Sequence, residues 1–163
     1  MSLLVIYFIF DTIYIMKVVL DTNVLIDGIR DEYSYQKRII DEVISGQIEA
    51  YANKQTLQEN KLIMRQLIDN PEYEKTINDF YGQLNWVYNR RQVHIVSDPE
   101  DNKILESATE AEADYLITSD NDLLRLGEYE KVKIVNPSEF WVKYTDEEGD
   151  DVWKKWAGFI TGK

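Results

Sequence analysis

Apolar and polar positions along this chain follow two rhythms that take turns. Short, nearly unbroken apolar runs recur at Val18–Leu20, Ile48–Ala52, Val93–Val96, Tyr115–Thr118 and Val132–Val135. Their length and continuity predict strands, buried on both faces as in a parallel sheet. Between them the spacing turns helical. Tyr33–Ser45 places Ile39, Ile40, Val43 and Ile44 on one face and stops at Gly46. Gln55–Asp69 carries Leu57, Leu62, Ile63 and Leu67, and Asn70-Pro71 ends it. Glu72–Arg90 repeats through Tyr73, Ile77, Phe80, Leu84 and Val87, and Asp101–Ala113 and Asp122–Leu126 supply two more helices. Pro137 opens a last one toward Phe140 and Trp141. Strands that alternate with helices predict an α/β fold, with a mostly parallel, doubly wound sheet and helices on both faces.

The two ends depart from this alternation. Residues 1–15 are apolar, with Asp11 inside them and no basic residue before Lys17. The run is too short and too interrupted for a spanning helix, and it has neither the basic start nor the small-residue cleavage site of a secretory signal. It reads as an upstream extension that the fold would not need, ahead of a domain at 16–144. The other reading is an edge strand or a segment lying against a membrane. Residues 145–163 form a tail: an acidic turn at Asp146–Asp151, then Trp153, Trp156 and Phe159, suited to capping the domain or meeting a partner.

Composition narrows the chemistry. The 163 residues suffice for one domain with a core of its own. Cysteine is absent, which excludes disulfides, thiolate zinc sites and cysteine nucleophiles, and is compatible with a cytoplasmic location. A formal net charge of −12 opposes broad attraction to nucleic acid or to an anionic membrane. A polyanionic substrate would have to be met by a local basic strip or by bound cations.

The acids repeat one arrangement. The strand Val18–Leu20 stops on Asp21, and apolar residues resume at Val24–Ile26. An acid set between apolar segments is costly unless it is hydrogen-bonded, paired or metal-bound. Taken alone, Asp21 fits helix capping and a site equally. The strand Tyr115–Thr118 leads through Ser119 to Asp120-Asn121-Asp122, and Asp98-Pro99-Glu100-Asp101 opens a helix. Strand ends that bring carboxylates to one sheet edge must raise their pKa values or bind cations. Oxygen ligands without thiolate or imidazole favour Mg²⁺ or Mn²⁺. His94, the lone histidine, reads as structural or solvent-facing, and no Ser-His-Asp arrangement is in view.

Leu20-Asp21-Thr22-Asn23, the acid Glu59 after the second strand, the Asp98–Ala108 run, Ala113–Asp120 and the closing Ile134–Phe140 follow one another in a familiar order. Together they resemble the PIN domain, in the toxin branch related to VapC-type ribonucleases. The resemblance spans about Met16–Tyr144. It implies a PIN-like, Rossmann-like sheet of five strands in the order 3-2-1-4-5, and Mg²⁺- or Mn²⁺-dependent cleavage of RNA. The implied catalytic and metal-binding quartet is Asp21, Glu59, Asp101 and Asp120, with Asp122 as a further ligand and Asn23 and Thr118 in support. It also implies a homodimer and an antitoxin partner. Contacts to RNA would fall to Lys54, Lys61, Arg65, Arg90, Arg91, Lys103 and Arg125, which otherwise read as a solvated face.

Divalent ions would supply what phosphodiester hydrolysis needs, an activated water and compensation of phosphoryl charge. Three rivals differ in kind. A haloacid-dehalogenase-type phosphatase wants a second acid two residues after the first, where Asn23 stands. A receiver domain wants an early acidic pair and a late strand-end lysine. A PIN fold that binds RNA or a partner without cutting it would share every motif, and only an assay separates it from the enzyme.

Overall fold

A computed structural model of the chain describes residues 14–54, 57, 58, 61 and 70–146. Most of the helix expected at 55–69, with Glu59 and Arg65, lies outside these residues, as do residues 1–13 and the tail aromatics Trp153, Trp156 and Phe159. The described elements alternate as the pattern predicts: β1 (Met16–Leu20), α1 (Thr22–Arg30), α2 (Tyr35–Ser45), β2 (Ile48–Asn53), α3 (Pro71–Gly82), β3 (Asn85–Val87), α4 (Pro99–Glu110), β4 (Tyr115–Ile117), α5 (Asn121–Leu124), β5 (Glu128–Tyr129) and β6 (Val132–Val135). Lys54, Leu57, Gln58 and Lys61 are helical, and a closing helix covers 137–146.

The sheet has six strands in the order β3-β2-β1-β4-β6-β5. Five of them are parallel in the expected order, and β5 adds an antiparallel edge of two residues, with Glu128 opposite Lys133. The sixth strand was not foreseen, because two residues carry no periodicity. Successive residues of β1 face opposite sides, so Val18 enters one core and Val19 the other. The first core joins α1, α2, α3 and the closing helix through Val24, Ile39, Ile40, Phe80 and Phe140. The second seats α4 through Leu105 and Ala108 against Leu116 and Ile134.

One expected strand is corrected. The third parallel strand is Asn85–Val87, paired with Tyr51–Asn53, and Val93–Val96 is irregular. Leu84 and Val87 suited a helical repeat, but the helix stops at Gly82, and the open edge of β2 takes up the backbone of Asn85–Val87. The apolar run at 93–96 fails as a strand because α4 takes its amides. Glu106 Oε1 accepts the Val93 N–H at 2.8 Å, and Asn102 Oδ1 accepts those of Ile95 and Val96 at 2.8 and 3.1 Å. The Asn102 amide returns donors to the carbonyls of Val96 and Asp98. Backbone groups satisfied by side chains have no ladder left to offer.

Asp114 fixes the start of β1. Its carboxylate accepts from the Lys17 N–H at 2.7 Å and from the Tyr14 hydroxyl, and its own N–H donates to the Lys17 carbonyl at 2.8 Å. Tyr14, from the stretch read as an extension, is exposed yet bonded here. No helix among the described residues is long and apolar enough to cross a membrane.

Helices α1 and α2 meet at Gly28. A Cβ placed there would stand 2.6 Å from Ile40 Cδ1 and 3.0 Å from the backbone carbon of Gln36. Helix propensity alone favours Gly28→Ala by about 1 kcal/mol, but backbone cannot retreat as a side-chain tip can. The steric clash should win, with a net loss of about 1–3 kcal/mol. Urea unfolding of Gly28→Ala measures it, and a stabilised variant would show that the two helices part freely.

Candidate active site

Three helices begin on an aspartate at the carboxyl edge of the sheet or beside it. Asp21 caps α1, Asp98 caps α4 and Asp120 caps α5, each accepting from the backbone through its Oδ1. For Asp21 the donor is the Asn23 N–H at 3.3 Å, and for Asp98 the Glu100 N–H at 2.8 Å. For Asp120 the donors are the N–H groups of Asp122 and Leu123, at 2.7 and 3.1 Å. Capping and site chemistry are therefore compatible, since one oxygen satisfies the orphan amides of a first turn and the other is left for different work.

At Asp21 the second oxygen binds inward. Thr118 lies one residue past β4, with no exposed surface, and its hydroxyl donates to Asp21 Oδ2 at 2.7 Å. The same hydroxyl accepts from the Asp120 N–H at 2.9 Å. The Asp21 N–H donates to the Ile117 carbonyl at 3.0 Å. Thus the ends of β1 and β4 are laced together, and Thr118 fixes the placement of both Asp21 and Asp120.

Asp101 sits on the first turn of α4, and its carboxylate makes no hydrogen bond among the described residues. Burial, followed by repulsion from Asp120, Asp98, Asp21 and Asp122, pushes its pKa up to about 6. Burial also raises Asp21, with a lesser push from Asp120, against the lowering effect of the Thr118 and Asn23 bonds. Asp21, Asp101 and Asp120 therefore share one electrostatic field, although β1, α4 and the β4–α5 turn supply them separately.

The remaining expected residues fare differently. Glu59 lies outside the described residues. Asp122 is exposed and paired with Arg125 at 2.9 Å. Asn23 contributes its backbone N–H, while its side chain is exposed to solvent. His94 is exposed too. Sequence reasoning missed Asn102 and Glu106, the buried polar pair that holds the 93–96 wall beside the site. Their signal was available: two polar side chains at i and i+4 on the core side of a helix, after a segment with no partner strand.

No three acidic or imidazole groups among the described residues stand close enough to hold a metal ion as they are. In kind, however, the donors fit a hard divalent cation. They are carboxylates that repel one another, with at least Asp101 free of competing hydrogen bonds.

A sequence model of the PIN domain matches residues 17–122. Among solved structures, a chain of the VapBC2 complex from Rickettsia felis, bound to a DNA fragment from its promoter, superposes with a TM-score of 0.52 at 13% identity. The match covers 74% of this chain and 98% of that one, and at such identity it is a likeness of fold. No curated protein matches the chain.

Raised carboxylate pKa values make stability depend on pH. Below the ordinary value of 3.8 both Asp21 and Asp101 are protonated whether folded or not, and their contribution is fully present. It is lost as pH rises through the folded values, about 6 for Asp101. In EDTA, Asp101→Asn should therefore melt higher than the wild type above this range, with a flatter Tm between about pH 4 and pH 7. A variant that melts lower at neutral pH would show Asp101 to be stabilised in place.

Proposed function

Because the chain belongs to the PIN-domain family, we propose that it is a metal-dependent endoribonuclease of the toxin type, hydrolysing phosphodiester bonds of RNA. The observation that carries this reading is the mutual repulsion of Asp21, Asp101 and Asp120 at the carboxyl edge of the sheet. Capping accounts for one oxygen each of Asp21 and Asp120 and for none of Asp101, which caps no helix. A Mg²⁺ or Mn²⁺ ion held by Asp21, Asp101 and Asp120, with Glu59 and Asp122 as further ligands, would supply charge compensation and a more acidic water.

The residues of the chain do the rest. Asp21, at 5% exposure, offers a carboxylate already desolvated and aimed by Thr118. Asp120 is oriented through its cap and through the Thr118 hydroxyl. Asp101 is the least encumbered donor, and its high pKa means that cation binding must displace a proton at mildly acid pH. Burial of the β1 and β4 ends keeps bulk water from screening Asp21, while Asp101 and Asp120 are half-buried. We further propose a cytoplasmic location, a homodimer and an antitoxin partner, the last by analogy with the VapBC2 complex. The competing reading is a PIN fold that binds RNA or a partner without cleaving. Its support is that no three described carboxylates are gathered for an ion.

Purified protein should cut RNA in Mg²⁺ or Mn²⁺ and stop in EDTA. Cleavage that persists in EDTA overturns the metal mechanism, and binding without cleavage in Mn²⁺ favours the competing reading.

Single substitutions should rank the acids. Asp101→Asn abolishes cleavage and leaves the fold intact, whereas Asp98→Ala, which removes the cap of α4, costs about 1 kcal/mol of stability and keeps activity. Thr118→Val, acting through Asp21 and Asp120, lowers cleavage about 10–100-fold. Initial rates and melting curves on the three proteins test the order, and the reverse ranking of the two aspartates would refute the assignment.

A further inference from the structure

The sheet ends in two edges that are built differently. The β5 edge carries Glu128, with Glu130 and Lys131 in the turn to β6. Charges of that kind keep a further strand away. The β3 edge has no such guard. Asn85–Val87 pairs on one side with Tyr51–Asn53, and on the other side its backbone bonds nothing among the described residues. No charged residue and no proline stands between Gln83 and Asn89. No acid at all stands between Gln83 and Ser97, in a chain of net charge −12.

Two large aromatic side chains are exposed on this edge, Trp86 at 42% and Tyr88 at 69%. They are two positions apart, so an extended backbone presents them on one face. Val87 between them turns to the other face and packs on the second core. The exposed apolar residues Tyr35 and Val142 stand instead on helices. The backbone groups there bond along the helix, which leaves side chains on offer and no ladder.

The edge is also self-complementary. Asn85-Trp86-Val87-Tyr88-Asn89 runs amide, aromatic, valine, aromatic, amide, and has the same order of types in either direction. Laid antiparallel on a copy of itself about a two-fold axis at Val87, it sets Trp86 of each copy opposite Tyr88 of the other, and Val87 opposite Val87. Opposed aromatic pairs are among the favourable units of an antiparallel ladder. The amides of Asn85 and Asn89 are bonded within the fold, to the Ala50 carbonyl and to Glu106. The pairing therefore needs only Trp86–Tyr88.

We propose that the β3 edge is a homodimer interface, at which a second copy of this chain pairs antiparallel and joins two six-stranded sheets into one. This supplies the surface for the homodimer proposed above and rests on that reading, though not on RNA cleavage. The antiparallel arrangement suits the charge of the chain. Across the axis the carboxyl edges of the two sheets point in opposite directions, so the acids Asp21 and Asp120 of one copy are held away from those of the other. A ladder this short buries less than a standard interface, and the dimer dissociates on dilution.

The absence of cysteine makes the register directly testable. Val87→Cys puts one thiol from each copy at the axis, where opposed Cβ atoms stand ~4.5–5.5 Å apart and a small adjustment closes a disulfide. With diamide as the oxidant, this full-length variant should cross-link to a dimer. Val142→Cys, on the exposed face of the closing helix, should not. In sedimentation velocity across a dilution series the wild type should pass from dimer to monomer. Trp86→Lys should raise the dissociation constant by roughly tenfold or more, and Trp86→Phe should retain most of the association. Val142→Lys, which makes the same change in charge elsewhere, should behave as the wild type does. Melting temperatures of the dilute proteins check the fold. Tyr88→Lys, at the more exposed ring, gives the same reading if Trp86→Lys melts early.

A wild type that is monomeric at every concentration overturns both the homodimer and this interface. A dimer that survives Trp86→Lys and Tyr88→Lys keeps the homodimer and overturns the β3 edge. Loss of the dimer in those variants without a cross-link at Val87 overturns the antiparallel register. Equal cross-linking of Val142→Cys marks random collision and overturns it too.

Discussion

The structure depends on a bond from the Thr118 hydroxyl to a carboxylate that is 5% exposed. Asp21 follows a strand buried on both faces and precedes the apolar positions Val24 and Leu25. A carboxylate in that place loses its hydration, and its pKa rises accordingly. Thr118 limits the loss with one donor, and it relays the arrangement outward by accepting from the Asp120 N–H. The hydroxyl serves two aspartates on two elements, which joins the ends of β1 and β4 and orients the edge that carries both. A methyl in place of that hydroxyl would fill the space and leave both groups short of a partner.

The helix starts carry the second layer of this arrangement. Each aspartate cap satisfies a helical first turn, so each acid has a structural reason to be where it is. What makes the group unusual is repulsion. Stability is spent to keep Asp101 beside Asp120, Asp98 and Asp21, with no hydrogen bond on its own carboxylate among the described residues. Strain of that kind is characteristic of sites with a task, because a cation or a proton relieves it and nothing inside the fold does. The same local logic continues next door. Asn102 and Glu106 face the 93–96 segment as two buried polar side chains, and they hold its amides against α4.

The alternation of strands and helices was legible in one dimension, because burial on a parallel sheet requires continuous apolar runs and packing helices require a 3.6-residue repeat. The same patterns located β1, β2, β4 and β6 and the acids at helix starts, Asp21, Asp101 and Asp120. A carboxylate at a strand end shows itself without any partner being known. The rest was decided only when the segments packed. Leu84 and Val87 fit a helix as well as a strand, and the free edge of β2 made Asn85–Val87 a strand. Val93–Val96 has strand composition, but its amides were taken by side chains of a helix that follows it in the chain. Likewise the role of Thr118 rests on a bond to a residue 97 positions away. Periodicity reports what each segment can bury, whereas partner choice depends on which backbone and side-chain groups remain unsatisfied once the segments meet.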